Sequence, residues 1–352
     1  MVEKDYFKDD VEYIGTAKFI PWEKLRGKTL FITGGTGIIG YSLLAGLLRG
    51  DEEHKLGLKI LVLTRSLEQA KKRFAEVAGR EKLHFLEGDV VDLPPVEEKI
   101  DYIIHGASQT SSLGFIQKPV ETITTAVTGT RNVLELARKN SVQGFAYLST
   151  MEVYGYPEKG HKVTEEEMGA LSSLEVRNSY PLSKQLCESM TCGYASEYNL
   201  PASIVRLTQT FGPGADYQDG RVFAYFGRCA AEGQDIVLKT KGETERCYLY
   251  TADAAAAILQ VLLAGKAGQA YNAASEDTYC SIAEMAEKIA KEYDIKVRFD
   301  LQDTSKLGFA APLCMNLSTE ALQKLGWQVR PETCGLGAMY KRMIGHWQRM
   351  KR

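Results

Sequence analysis

Phe31-Ile32-Thr33-Gly34-Gly35-Thr36-Gly37-Ile38-Ile39-Gly40 decides the fold. A β-branched apolar run leads straight into a glycine cluster, and a segment with helical periodicity follows at once. A tight turn at this point needs glycine's free backbone. A second glycine lets a pyrophosphate approach the main chain, and a third lets the helix pack close on the strand. The helix N-terminus then faces negative charge. Gly34, Thr36, Gly37, Ile38, Ile39 and Gly40 are therefore read as positions that contact a dinucleotide. The same glycines without strand and helix in register would be an ordinary surface turn.

Outward from this turn, short apolar runs alternate with longer periodic segments. Strands are expected at Thr29–Thr33, Lys59–Leu63, Leu83–Glu87, Tyr102–His105, Phe145–Ser149 and Ala202–Leu207, and helices at 38–49, 66–78, 119–140 and 179–199. The strands are near-continuous in apolar residues, as in a parallel sheet covered on both faces. This predicts an α/β chain with a doubly wound, Rossmann-type parallel sheet over residues 28–211. After Phe211-Gly212-Pro213-Gly214 the rhythm changes, so 212–352 is expected to be mainly a smaller α+β lobe that holds the substrate. A helix and strand at about 252–273 are expected to return to the main sheet. Residues 1–27 read as an N-terminal appendage, with Phe19 and Trp22 as docking anchors.

The 352 residues carry 43 Lys and Arg against 45 Asp and Glu, and 44% are apolar. With both signs spread along the chain there is no electrostatic footprint for nucleic acid or an anionic membrane. No stretch reaches the roughly 18 apolar residues of a membrane span. Seven cysteines without a Cys-x-x-Cys pair read as buried or free thiols in a reducing compartment, and a cytoplasmic protein is expected. No metal site is assigned.

The strand Leu61-Val62-Leu63 ends in Thr64-Arg65-Ser66, where a dinucleotide fold usually places an acid for the ribose. Arg65 suits a 2′-phosphate and leans the cofactor from NAD to NADP. It reads equally well as a solvated residue opening the next helix. Asp89, after the third strand, is placed at the adenine, with a bare turn aspartate as the alternative, and Val90 beside it is read as a further cofactor contact. Tyr180-Pro181-Leu182-Ser183-Lys184 puts a phenol and an ammonium four apart on one helix face. A neighbouring cation stabilises a phenolate, which can then take a proton from a substrate hydroxyl. Upstream, Ser149-Thr150-Met151-Glu152-Val153-Tyr154-Gly155 ends a strand and supplies a further hydroxyl.

Taken together, these motifs resemble those of the extended short-chain dehydrogenases/reductases, of the NAD-dependent epimerase/dehydratase kind that acts on nucleotide sugars. The likeness runs from about residue 28 to about 330. Thr33 to Gly40 resembles the family's T-G-x-x-G-x-x-G turn. His105-Gly106-Ala107-Ser108 resembles the H-x-A-[AS] segment, which implies that Ala107 and Ser108 line the nicotinamide site. The S-T-x-E-V-Y-G likeness implies Thr150 as the catalytic hydroxyl beside Tyr180 and Lys184. Arg246-Cys247-Tyr248-Leu249-Tyr250-Thr251-Ala252-Asp253 is similar to the segment whose arginine holds the substrate diphosphate, and Gln209 stands where the family's diphosphate-proximal Asn usually stands. The resemblance also implies a homodimer.

Glu152 bears on the reaction. Simple 4-epimerases usually have a small or neutral residue here, whereas a carboxylate beside a 4-keto sugar can remove the C5 proton or assist loss of a C6 carboxylate. It reads otherwise as a solvated or helix-capping glutamate. Met151 replaces the aspartate of glucose-type 4,6-dehydratases, and Asp219-Gly220-Arg221-Val222 resembles the D-G-R-V of UDP-glucuronate decarboxylases, with Arg221 near the substrate carboxylate or phosphate. The expected activity is C4 oxidation followed by decarboxylation or dehydration, with re-reduction possible. Plain 4-epimerisation and NADP-dependent net reduction are the alternatives.

Overall fold

In the computed structural model, which describes residues 4–302 and 312–350, the apolar runs form a seven-stranded parallel sheet. Its strands are β1 (Thr29–Thr33), β2 (Lys59–Thr64), β3 (Leu83–Glu87), β4 (Tyr102–His105), β5 (Gly144–Thr150), β6 (Ala202–Leu207) and β7 (Ala270–Ala273). They lie in the order β7-β6-β5-β4-β1-β2-β3. Every residue of β6 and β4 is buried, because helices cover both faces. Thr33 is level with Leu63 on one side and His105 on the other, and His105 is level with Tyr147. The carboxyl ends of the central strands thus open on one edge. The order reverses between β4 and β1, the switch point where open α/β sheets bind ligands.

The helices follow local rules. Pro119 occupies the first turn of Pro119–Asn140, and Ser141 ends that helix in the left-handed region. Thr251–Ala264 is buried nearly all round, lying against β5 and β6 and against the helices Tyr6–Thr16 and Ile38–His54. The helix expected over 66–78 stops at Arg73. Phe74 and Val77 turn into the core there, and Phe74 meets the rings of Tyr41 and Phe85.

The second lobe is built from distant pieces of chain. Ser275–Ser281, Glu245–Tyr250, Cys314–Leu317 and Lys162–Val163 form one sheet, and Gln209–Phe211 pairs in parallel with Glu245–Tyr250. All seven cysteines are free. Among the described residues, no helix is long and apolar enough to cross a membrane.

The N-terminal segment is no appendage. Helix Tyr6–Thr16 is capped by Asp5 and buries Ile14 in the main core, and Trp22 lies buried on His54. Phe19 and Trp22 are anchors within the chain itself. Asp10, 1% exposed, accepts bonds from Arg330 at 2.5 Å, from Arg342 at 3.1 Å and from the Tyr250 hydroxyl at 2.5 Å. One carboxylate therefore ties the first helix to two cations near the C-terminus. Removing one partner of a buried ion pair leaves the others uncompensated, so Asp10→Asn is expected to cost about 3 kcal/mol of stability. Urea unfolding checks this, and an unchanged midpoint would show that the cluster contributes nothing net.

Candidate active site

The turn between β1 and the helix Ile38–His54 is shaped for close approach. Gly34 has φ +74°, and a Cβ on it would lie 2.6 Å from the carbonyl carbon of Gly106. A Cβ on Gly40 would meet the carbonyl oxygens of Gly34 and Gly35, so helix and turn touch backbone to backbone. The helix opens at Gly37 with no side-chain cap among the described residues, which leaves its first N–H groups for an anion. Thr36, Ile38 and Ile39 are partly buried around this opening. Thr33 Oγ1 accepts from the N–H groups of Gly106 and Ala107 at 3.2 and 3.1 Å and meets His105 Nδ1 at 2.7 Å. These bonds lock the end of β1 to the end of β4. Burial, with the Lys184 cation nearby, pushes His105 down to about 3, so the ring is a neutral brace that also contacts Thr130 Oγ1 at 3.1 Å. The uncapped helix and the cradle that a Cβ would fill fit a dinucleotide pyrophosphate.

Arg65 is exposed just past β2. Asp89 Oδ1 accepts the Val91 N–H at 2.9 Å, which shapes the turn after β3, while its other oxygen has no partner among the described residues. Val90 is buried against Gly129. Ser108 is partly buried, and its hydroxyl donates to the Gln109 carbonyl at 3.4 Å.

Thr150, Glu152, Tyr180 and Lys184 meet at the end of β5. Thr150 closes the strand, and Glu152 lies on the short turn Met151–Tyr154. Tyr180 and Lys184 occupy the start of Ser179–Glu197. The Tyr180 ring is buried and stacks on Phe115, with centroids 4.3 Å apart and planes 3° apart. Burial pushes this phenol upward and the Glu152 charge adds to it, while a bond from Thr150 and the charges of Arg177 and Arg221 pull it down. Lys184 is held differently from the simple phenol–ammonium pair its spacing suggests. Its ammonium donates to the Leu148 carbonyl at 2.7 Å and lies 4.7 Å from the Tyr147 ring centroid, against 5.9 Å from that of Tyr180. Burial lowers it to about 8.

Arg177 and Phe115 were not singled out from the sequence. Arg177 pairs with Glu152 at 3.1 Å and lies 5.1 Å from the Phe115 ring centroid. Its place three residues before Tyr180 was the available signal. Arg73 is another addition: it donates to the Gly214 carbonyl at 2.8 Å and the Gly37 carbonyl at 3.4 Å, tying the glycine turn to the segment that leads into the second lobe. Among the expected substrate residues, Arg221 pairs with Asp219 at 2.6 Å and its charge reaches Tyr180. Gln209 is level with Tyr248, two residues from Arg246 on the neighbouring strand. Arg246 Nε is buried without a hydrogen-bond partner among the described residues, a donor left for an anionic ligand.

The chain is 30% identical over 226 residues to UDP-glucuronic acid decarboxylase 1 of Xenopus tropicalis, covering 64% of this chain and about half, 51%, of that protein. It is 31% identical over 268 residues to the UDP-N-acetyl-alpha-D-glucosaminuronate decarboxylase of Bacillus cytotoxicus, covering 74% of this chain and 79% of that one. A dTDP-glucose 4,6-dehydratase structure from Streptomyces venezuelae, with NAD bound, superposes with a TM-score of 0.76 at 23% identity, covering 91% of this chain and 97% of that one. The NAD dependent epimerase/dehydratase family matches residues 30–274, from the first strand through the last strand of the main sheet. With the glycine turn, the Thr150–Tyr180–Lys184 cluster and the seven-stranded sheet all inside that span, the chain belongs to the NAD dependent epimerase/dehydratase family.

Proposed function

We propose that the chain is an NAD(P)-dependent enzyme that oxidises a nucleotide sugar at C4 and then uses the 4-keto group for decarboxylation or dehydration. Residues 28–211 hold the dinucleotide and 212–352 mainly the sugar nucleotide, with the return near 252–273 in the first part. The observation that carries the two-step reading is Glu152. A carboxylate is held among Thr150, Tyr180 and Arg177, where C4 oxidation alone needs only the hydroxyl and the phenol. The two decarboxylase relatives act on uronates by their names, which favours loss of CO₂ over loss of water.

When bound, NAD(P) supplies a two-electron acceptor for C4. Thr150 aligns the C4 hydroxyl and Tyr180 takes its proton. Lys184 places a cation 5.9 Å from the phenol ring and braces β5 through Leu148. In a 4-keto uronate the C5–C6 bond breaks as CO₂ leaves, its electron pair passes to the C4 oxygen, and C5 then gains a proton. Glu152 lies where it can assist this step or take the C5 proton in a dehydration. Arg246, Gln209 and Arg221 hold the diphosphate or the sugar carboxylate. Incubation with UDP-, CDP-, GDP- and dTDP-sugars, followed by product mass, tests the reading. Loss of CO₂ or water supports it, and isomerisation alone would replace it with 4-epimerisation.

Arg65 supports a preference for NADP, since its exposed guanidinium stands at the end of β2. Arg65→Ala is expected to weaken NADP binding by about tenfold to hundredfold, the range for a hydrogen bond to a charged group, and to leave NAD affinity nearly unchanged. Equal losses in a fluorescence titration would show that Arg65 does not read the 2′-phosphate. A homodimer is supported by Val120, Ile123 and Leu186, exposed apolar residues on the mutually packed helices Pro119–Asn140 and Ser179–Glu197.

A further inference from the structure

The Glu152–Arg177 pair divides its atoms unevenly. Both terminal nitrogens of Arg177 donate to one oxygen, Glu152 Oε2, at 3.1 Å each. Glu152 Oε1 has no partner among the described residues, and the two side chains are about a fifth and a quarter exposed. A fork-to-fork pairing would occupy both oxygens. This one anchors the carboxylate and leaves an edge open.

The anchor is built into the same backbone as Tyr180. Arg177 lies in the short turn Val176–Asn178, which runs directly into Ser179–Glu197. Its guanidinium packs on Phe115, the ring on which Tyr180 stacks. Opposite charges thus act on one phenol: Glu152 resists its ionisation, Arg177 favours it together with Arg221 and the Thr150 bond, and the Lys184 ammonium lies 5.9 Å from its ring centroid. A carboxylate placed here for a second step would by itself hinder the first.

We propose that Arg177 is a positioning residue that anchors Glu152 by one oxygen, leaves the other for the substrate, and offsets the Glu152 charge at the Tyr180 phenol. The anchoring role rests on the two-step reading above, while the charge offset stands without it. Lysine in place of Arg177 would keep the charge but lose the planar fork.

The experiment compares the full-length parent with Arg177→Met, Arg177→Lys, Glu152→Gln and the Arg177→Met/Glu152→Gln pair. The probe is UDP-glucuronate, replaced by whichever sugar of the panel gives product if it does not. Two readouts are followed across pH, the rate of cofactor reduction and the rate of final product. Arg177→Met is expected to move the pH dependence of cofactor reduction upward by about one unit, and Glu152→Gln downward by a similar amount. The double variant should return near the parent, and Arg177→Lys should stay near it while product formation remains depressed by about tenfold. A purely structural role would not move the two single variants in opposite directions. An unmoved or downward-shifted profile in Arg177→Met overturns the offset. Product formation at the parent rate in Arg177→Met, with Glu152→Gln impaired, overturns the anchoring while sparing the two-step reading. Glu152→Gln completing turnover at the parent rate, or no product from any sugar, removes that reading and the anchoring with it.

Discussion

Replacing Tyr180 by phenylalanine is expected to lower turnover by about 10³- to 10⁴-fold, the upper part of the range for losing a positioned general base, with cofactor affinity within about twofold of the parent. The substitution removes one oxygen and keeps the ring, so the stack on Phe115 at 4.3 Å and the packing beneath it survive. The glycine turn, the uncapped helix Ile38–His54 and the Thr33–His105 brace do not involve the phenol oxygen. The buried phenol is held neutral when nothing else enters the site, because desolvation and the Glu152 charge outweigh Thr150, Arg177 and Arg221. An oxidised nicotinamide, when bound, would add positive charge beside the phenol and favour its ionisation. Steady-state kinetics beside a cofactor titration separate the two effects. Parent-like rates in Tyr180→Phe would exclude the phenol as the base.

The main sheet was legible because its central strands are buried on both faces. Leu30-Phe31-Ile32, Ile60-Leu61-Val62-Leu63 and Tyr102-Ile103-Ile104 announce themselves as apolar runs whatever they pair with. Helix Pro119–Asn140 was equally plain, since its proline fixes the start. What local pattern could not show were features set by partners far along the chain. Asp10 reads as one more surface acid in a charged N-terminus until Arg330 and Arg342 close on it from more than 300 residues away. Lys162–Val163 is too short to be a strand by itself, and it exists because Cys314–Leu317 lies beside it. In the site, Tyr180 and Lys184 were visible through their spacing on one helix, and Thr150 through the resemblance of Ser149–Gly155 to the family's segment. Arg177 sits close by in sequence, yet its pairing with Glu152 depends on how β5 and that helix are brought together. The Lys184–Leu148 bond is of the same kind, a contact between elements that no spacing along the helix reports.

Glu152→Gln is expected to separate the two halves of the reaction, letting C4 oxidation proceed while slowing the second step by about 10³-fold. The amide keeps the shape of the side chain and can still accept a bond from Arg177, so the turn Met151–Tyr154 should hold. It loses the carboxylate's ability to carry a proton. Oxidation itself should become easier at a given pH, because the charge that resists ionisation of Tyr180 is gone. The signature is a rapid rise in the absorbance of reduced cofactor, close to one equivalent per site, with a 4-keto sugar recoverable by trapping and little final product. In a plain 4-epimerase the same variant would show no such stall, since re-reduction of the 4-keto group needs only Tyr180 to return the proton it took. Product formation at the parent rate without accumulation of reduced cofactor would make Glu152 a bystander and one-step C4 chemistry the better account of this site.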